Sequence, residues 1–312
     1  MEQPFVLSET AAVLAGIAEQ GGEHLADMSA ADMRATYQQM GAMFDTPPEP
    51  GVRWTDLAGA GCALRAYFPG EAPGNMEAGP VILYMHGGGW VIGDLESHHP
   101  VCTTIAALTG LRVVAVDYRL APEHPFPAAH DDCLAAARFV LGSPPELEAP
   151  VTGIAVSGDS AGGNLALYLA ITLGSAAVKA QLLIYPWLDC TAPDEGSYKA
   201  FGEGFVLDRK LLGRFAADYL PGADMVAGAA ASPLLHPIPS DLPPTVLLTA
   251  GLDPLRDQGR AWAGGMAQMG MEVHFMEAKG LIHGLATMRA AFPTADRILR
   301  RAIATFGELI RN

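Results

Sequence analysis

Short apolar runs alternate with longer Ala- and Leu-rich stretches over most of the chain. The runs that predict strands are 62–68, 81–85, 113–117, 154–156, 180–185, 245–250 and 273–276. Helical patterns separate several of them, over 101–108, 128–141 and the stretch that follows residue 160. Nearly uninterrupted apolar strands are typical of a parallel sheet that helices cover on both faces. The pattern therefore predicts an α/β fold with a mostly parallel central sheet.

Two regions depart from this alternation. Residues 1–45 are helical in pattern, with Ser29 placed to cap a helix, and the Pro-rich run 46–51 reads as a stiff linker. Residues 190–230 combine turn-forming residues with one helical piece at 210–219. We predict that 1–45 form N-terminal cap helices on a catalytic domain of 46–312. A second cap segment, at about 190–230, is expected to complete this lid.

Composition narrows the classes of partner. The 312 residues are half hydrophobic, and their formal net charge of −15, with no cluster of Lys or Arg, argues against nucleic acid. The four cysteines form no C-x-x-C pair, which is typical of reduced thiols. No signal peptide and no apolar run long enough to span a membrane is evident, so we expect a cytoplasmic protein without stable membrane insertion. The sequence leaves a homodimer open.

The candidate chemistry centres on Ser160, in the Gly-x-Ser-x-Gly run of residues 158–162. An apolar strand precedes this run and a helical pattern follows it. Glycines two positions before and after the serine permit the sharp strand-to-helix turn that exposes a nucleophilic hydroxyl. The helix N-terminus would offer N–H groups to an oxyanion.

A nucleophilic serine needs a base, and the base needs an orienting acid. Of nine histidines, His283 alone follows the last predicted strand, in a loop with glycines on both sides, and we predict it as the base. Asp253 directly follows the strand 245–250, whereas Asp257 comes one helical turn later. We favour Asp253 as the acid and expect Asp257 to serve as a helix cap or loop acceptor.

The run His86–Trp90 (HGGGW) follows the strand 81–85. Consecutive glycines let backbone N–H groups approach a substrate closely, so this run is the candidate oxyanion hole, with the N–H of Ala161 as its partner.

These motifs resemble those of the bacterial hormone-sensitive-lipase-like esterases of the α/β-hydrolase superfamily. The resemblance rests on HGGGW at 86–90, YRLAPE at 118–123, GDSAGG at 158–163 and DPLRD at 253–257, in the same order. It implies an α/β-hydrolase fold with a helical cap, and carboxylester hydrolysis without a metal or organic cofactor. It also implies Gly88 and Gly89 as the main loop donors, with Gly87 as a third candidate. Gln258 departs from the family, which commonly has an acidic residue there, and so does Leu285, where an aromatic residue is common.

Four residues are candidates for substrate binding: Trp187, Phe205, Asp159 and Ile282. Trp187 follows Tyr185-Pro186 at the carboxyl end of the strand after the nucleophile helix, where ligands of such sheets bind. Its indole could limit the length of the acyl chain, or Trp187 could be a core residue that anchors the lid. The sequence does not decide between these two roles.

The predicted function is hydrolysis of esters with short to medium acyl chains through an acyl-enzyme. An amidase or deacetylase could use the same triad, and a non-catalytic small-molecule receptor could share the fold. An idle receptor is expected to have lost a triad residue, and this chain has all three.

Overall fold

The computed structural model describes residues 4–70, 76–220, 222, 226 and 228–311. Within these residues, eight strands form one sheet in the order β1-β2-β4-β3-β5-β6-β7-β8. Their bounds are β1 Val52–Leu57, β2 Ala63–Pro69, β3 Gly79–Met85, β4 Arg112–Asp117, β5 Val151–Asp159, β6 Val178–Ile184, β7 Thr245–Leu252 and β8 Val273–Ile282. Strand β2 runs antiparallel to both of its neighbours, and the pairs from β4 to β8 are parallel. The mostly parallel sheet is thus confirmed.

The helices of the described residues cover both faces of this sheet and its carboxyl edge. They are α1 Ser8–Gln20, α2 Ala30–Phe44, α3 His99–Thr109, α4 Ala128–Leu141, α5 Ala161–Ala177, α6 Gly196–Ala200, α7 Arg209–Tyr219, α8 Arg256–Gln268 and α9 Pro293–Arg311. Strand β3 shows why the sheet needs helices on both faces. Val81 and Leu83 belong to one buried apolar cluster, and Ile82 and Tyr84 belong to a second cluster. Because side chains alternate along a strand, both faces of the sheet are buried.

The two predicted cap segments make different contacts, one with the sheet and the other with the first segment. Helix α1 contacts the body, where the Leu7 N–H and the Thr10 hydroxyl both donate to the carbonyl of Gly280 on β8. The second segment contributes α6 and α7, while residues 221, 223–225 and 227 of it lie outside the described residues. Helix α7 meets the stretch between α1 and α2 through His24 Nε2 and Asp208, 2.7 Å apart, and through Arg214, which donates to the carbonyl of Ala26. The division at residue 45 stays a prediction.

Candidate active site

Ser160 stands between β5 and α5, where the chain turns sharply. Its backbone lies at φ 54 and ψ −119, a conformation that a non-glycine residue adopts only under strain. The glycines around it are required by space. A Cβ on Gly162 would lie 2.0 Å from the carbonyl oxygen of Met85, and one on Gly158 would lie 2.2 Å from that of Gly162. The Ser160 N–H donates to the Ile184 carbonyl at 2.9 Å, which ties the turn to β6.

Two hydrogen bonds join the three residues of the predicted triad. His283 Nε2 lies 2.9 Å from Ser160 Oγ, and His283 Nδ1 lies 2.7 Å from Asp253 Oδ2. Asp253 is fully buried, and its other oxygen accepts the Leu255 N–H at 2.8 Å. With Nδ1–H donating to the carboxylate, Nε2 is left free to accept the serine proton. The structure therefore brings together the predicted nucleophile, base and orienting acid.

Asp257 lies in the first turn of α8, and its carboxylate contacts other residues than His283. Asp257 Oδ2 accepts the Ser197 N–H at the start of α6, at 2.8 Å. Asp257 Oδ1 pairs with Arg256 at 2.9 Å and with Arg260 at 3.2 Å. These contacts place it as a link between the second cap segment and α8.

The glycine run after β3 presents free N–H groups beside Ser160. Gly88 and Gly89 have φ of 117 and 58, and both line the same cavity as Ser160 and His283. No hydrogen bond within the described residues takes up either of these two N–H groups. The N–H of Ala161, at the first position of α5, also lacks an intrahelical acceptor. These three donors remain the proposed oxyanion hole.

Gly87 does not fit the donor role that was expected of it. Its N–H donates to Asp159 Oδ1 at 2.8 Å, so it is already occupied. A Cβ on Gly87 would lie 2.3 Å from Asp159 Oδ2, which explains the need for glycine at this position. Through Gly87, Asp159 at the end of β5 holds the glycine-rich loop of residues 86–90, which we call the oxyanion loop.

Asp159 borders the cavity, but its carboxylate is directed into the protein. Besides the Gly87 N–H, it accepts the hydroxyls of Tyr84 at 2.8 Å and Tyr185 at 3.3 Å, and His98 Nε2 lies 3.2 Å away. Burial alone would raise the pKa of this carboxyl, but His98 and Tyr84 outweigh burial and lower the pKa. A substrate-binding role does not fit this placement, because the carboxylate is already committed to the protein.

The side chain of His86 lies behind the oxyanion loop, where its ring stacks on Tyr118 with the ring centroids 4.1 Å apart. Burial lowers the pKa of His86 to about 4. The imidazole is therefore neutral near pH 7, and it adds no positive charge behind this loop.

The cavity in front of Ser160 has apolar walls that both cap segments supply. Helix α2 contributes Tyr37 and Met40, and the second segment contributes Leu207, Leu211 and Phe215. These cap residues could not be predicted from the sequence, since a cap helix shows the same apolar spacing whichever surface it covers. The spacing of Leu211, Leu212 and Phe215 marked an apolar face but not its partner.

Trp187 lines this cavity, and it is also well packed. Only 2% of its surface is exposed, its ring lies 5.1 Å from that of Trp90, and its Nε1–H donates to the Asp189 carbonyl.

Gln258, where the family commonly has an acidic residue, holds the loop that directly follows Trp187. Its amide accepts the N–H groups of Leu188 and Asp189 and donates to the Asp189 carbonyl, which a carboxylate could not do.

The two remaining candidates for substrate binding lie outside the cavity lining. Ile282 is the last residue of β8 and is fully buried in an apolar cluster, and Phe205 packs its ring on Phe201, with the ring centroids 5.5 Å apart. The neighbours of Phe205, Val206 and Leu207, reach the cavity instead. A one-residue difference of this kind depends on the local turn, which the apolar pattern does not specify.

Comparison with known proteins agrees with this architecture. A family model described as the alpha/beta hydrolase fold matches residues 82–287, which is most of the chain. The chain belongs to this α/β-hydrolase family. The resemblance to bacterial hormone-sensitive-lipase-like esterases is thereby confirmed.

The curated relatives include Esterase LipI of Mycobacterium tuberculosis, 36% identical over 288 residues, with 87% of each chain covered. Ethyl acetate hydrolase of Pseudomonas putida is 38% identical over 239 residues, covering 75% of this chain and 74% of the relative. Among solved structures, the ester hydrolase EH1AB1 from the metagenome of Lake Arreo is 33% identical. Its TM-score is 0.89, with 98% of this chain and all of the other covered.

Two other features are absent from the residues that the structure describes, namely a membrane-spanning helix and a metal site. Among the residues that the structure describes, no helix combines the length and hydropathy that crossing a bilayer requires. No group of three or more His, Cys, Asp or Glu side chains in that same part of the chain is arranged to hold a metal ion.

Proposed function

We propose that this ester hydrolase acts on short to medium acyl chains through a serine-bound acyl-enzyme. The observation that carries the proposal is the hydrogen-bonded series Ser160–His283–Asp253, which opens on a cavity lined by Gly88 and Gly89. Nucleophile, base, acid and oxyanion donors thus meet at one place.

In the proposed reaction, each group has its own role. His283 Nε2 takes the proton as Ser160 Oγ attacks the ester carbonyl, and Asp253 stabilises the imidazolium that forms. The tetrahedral oxyanion accepts N–H groups of Gly88, Gly89 and Ala161. His283 then protonates the departing alcohol. A water molecule that His283 deprotonates attacks the acyl-enzyme, and His283 returns the proton to Ser160 Oγ as the acid leaves.

The substrate class follows from the walls of the cavity. Apolar side chains such as Leu25, Met40 and Phe215 surround Ser160, and the cavity encloses about 80 Å³. A charged acyl group would lose its hydration there without gaining a partner. A small cavity of this kind suits a short, uncharged acyl chain.

Matched substrates test the proposal against the amidase alternative. We expect p-nitrophenyl acetate to be hydrolysed with a much larger kcat/KM than p-nitroacetanilide, which offers the same acyl group as an amide. Assays of both, together with butyryl, hexanoyl and octanoyl esters, give the chain-length profile. A larger kcat/KM for the anilide would favour an amidase, and binding without turnover of either would favour a receptor.

Trp187 is expected to limit the length of the acyl chain. Trp187→His should raise kcat/KM for hexanoyl relative to acetyl esters about tenfold or more, because removing one contact in an apolar pocket shifts selectivity by ~1–3 kcal/mol. Measurement of kcat/KM over the ester series, with a melting curve for each protein, checks this expectation.

A matched control for this substitution is Trp54→His, because Trp54 lies on β1 away from the cavity and is 48% exposed. Its chain-length profile should equal that of the wild type. If Trp187→His lowers the melting temperature and leaves the profile unchanged, Trp187 is a core residue that anchors the lid.

A further inference from the structure

Arg34 connects cap helix α2 with the catalytic body through backbone carbonyls. Its Nε donates to the Val91 carbonyl at 2.8 Å, and its Nη2 donates to the Ala121 carbonyl at 2.9 Å. The guanidinium also pairs with both oxygens of Glu123, at 3.0 and 2.6 Å. One planar group therefore binds two carbonyls and one carboxylate of the body at once, which is the geometry that arginine allows and lysine does not.

The two carbonyls belong to, or adjoin, the loop that carries the oxyanion donors. The N–H groups of Val91 and Ile92 both donate to the Gly88 carbonyl, at 3.0 and 2.9 Å, so residues 88–92 form one compact turn. The Ala121 N–H donates to the Trp90 carbonyl at 2.9 Å. Arg34 thus holds the turn directly at Val91 and indirectly through Ala121.

This turn has backbone conformations that need external support. Trp90 lies at φ 60, which is unusual for a bulky residue, and Gly88 and Gly89 also have positive φ. From the body, Asp159 holds the start of the loop at Gly87. Arg34 holds the opposite end from the cap.

We propose that Arg34 is a positioning residue that couples the N-terminal cap to the oxyanion hole. It lies outside the lining of the cavity in front of Ser160, and its hydrogen bonds go to Val91, Ala121 and Glu123. It acts by holding the Val91 and Ala121 carbonyls, and through them the N–H groups of Gly88 and Gly89. The inference rests on the proposed function, because it assumes that these N–H groups stabilise an oxyanion.

The ion pair with Glu123 does not account for this role. The side chain of Glu123 is 53% exposed, and exposed ion pairs contribute little to stability. The hydrogen bond from Arg34 lowers the pKa of Glu123 to about 2, so its charge does not change over the usual assay range. The two carbonyl contacts distinguish Arg34 from an ordinary surface arginine.

The test compares Arg34→Met and Arg34→Lys with Arg53→Met. Arg53 offers a matched control, since it makes a similar two-point pair with Glu148, at 2.8 and 2.5 Å, from β1 and away from the cavity. We measure kcat and KM for p-nitrophenyl acetate, the inhibition constant of a trifluoromethyl ketone that forms a tetrahedral oxyanion on the serine, and the melting temperature.

Arg34→Met is expected to lower kcat about tenfold, less than the loss of a whole oxyanion donor, with KM nearly unchanged. The ketone should bind more weakly by a similar factor, Arg34→Lys should lie between, and Arg53→Met should match the wild type. Glu123→Ala should lose less kcat than Arg34→Met. Equal losses in these two variants would overturn the assignment to the carbonyl contacts.

The inference is also overturned if Arg34→Met lowers the melting temperature while kcat and ketone binding stay at the wild-type level. That result leaves the proposed function intact as long as Ser160→Ala is inactive in the same assay. A wild-type protein that turns over no ester would instead contradict the proposed function itself.

Discussion

Ser160→Ala is expected to lower kcat by several orders of magnitude while the fold and the melting temperature are retained. The substitution removes only the hydroxyl that lies 2.9 Å from His283 Nε2, and with it the covalent route. The residual rate would come from the oxyanion donors and from substrate binding. Steady-state kinetics with p-nitrophenyl acetate give the ratio.

The chain supplies a matched control three residues earlier. Ser157 lies on β5, is fully buried, and its hydroxyl has no partner among the described residues. Ser157→Ala removes the same kind of atom, from the strand that leads into the Ser160 turn, and should leave kcat near the wild-type value. A Ser160→Ala variant that keeps more than a tenth of the activity would exclude the serine mechanism.

Asp253→Asn should reduce kcat about 10⁴-fold, because an amide facing Nδ1 favours the wrong imidazole tautomer. Asp253 is fully buried, and its Oδ2 lies 2.7 Å from His283 Nδ1, so the substitution acts directly on the base. Asp257→Asn is the control. Its carboxylate binds Ser197, Arg256 and Arg260 and does not contact His283.

We therefore expect Asp257→Asn to affect the melting temperature more than kcat. The kinetics and melting curves of both variants decide between the two acids. Similar losses of kcat in both would leave Asp253 without the special role assigned to it, and a larger loss in Asp257→Asn would reverse the assignment.

The fold could be predicted where burial dominates the sequence pattern. Strands β3 to β7 are apolar on both faces, so their runs stand out clearly. Strand β1 was missed because its sequence, VRWTDL, is mixed and half exposed at the edge of the sheet. Helix α9 was also missed, although Leu299, Ile303, Phe306 and Ile310 give it a regular apolar face.

The three triad residues could be predicted from the sequence because each one comes after a predicted strand, in the order typical of this fold. Ser160, Asp253 and His283 each follow a strand, and parallel strands bring their carboxyl ends to one edge. The roles of Gly87 and Asp159 could not be read in this way. Which N–H a buried carboxylate accepts depends on distances across three strands, and the sequence does not encode them as a spacing.

The cap was the least predictable part. Arg34 looks like any surface arginine on an amphipathic helix, and its contacts with Val91 and Ala121 join positions far apart in the sequence. Tyr37 and Met40 likewise gain their place beside Ser160 only from the docking of α2 onto the body.

Covalent labelling of Ser160 tests the central claim most directly. The wild-type protein is incubated with diethyl p-nitrophenyl phosphate, and the intact mass and the labelled peptide are determined by mass spectrometry. We predict one diethylphosphoryl group per chain, on Ser160, with loss of esterase activity in proportion to labelling. Ser157→Ala should be labelled like the wild type, and Ser160→Ala should not be labelled. A label on another residue, or full activity in labelled protein, would contradict the serine mechanism.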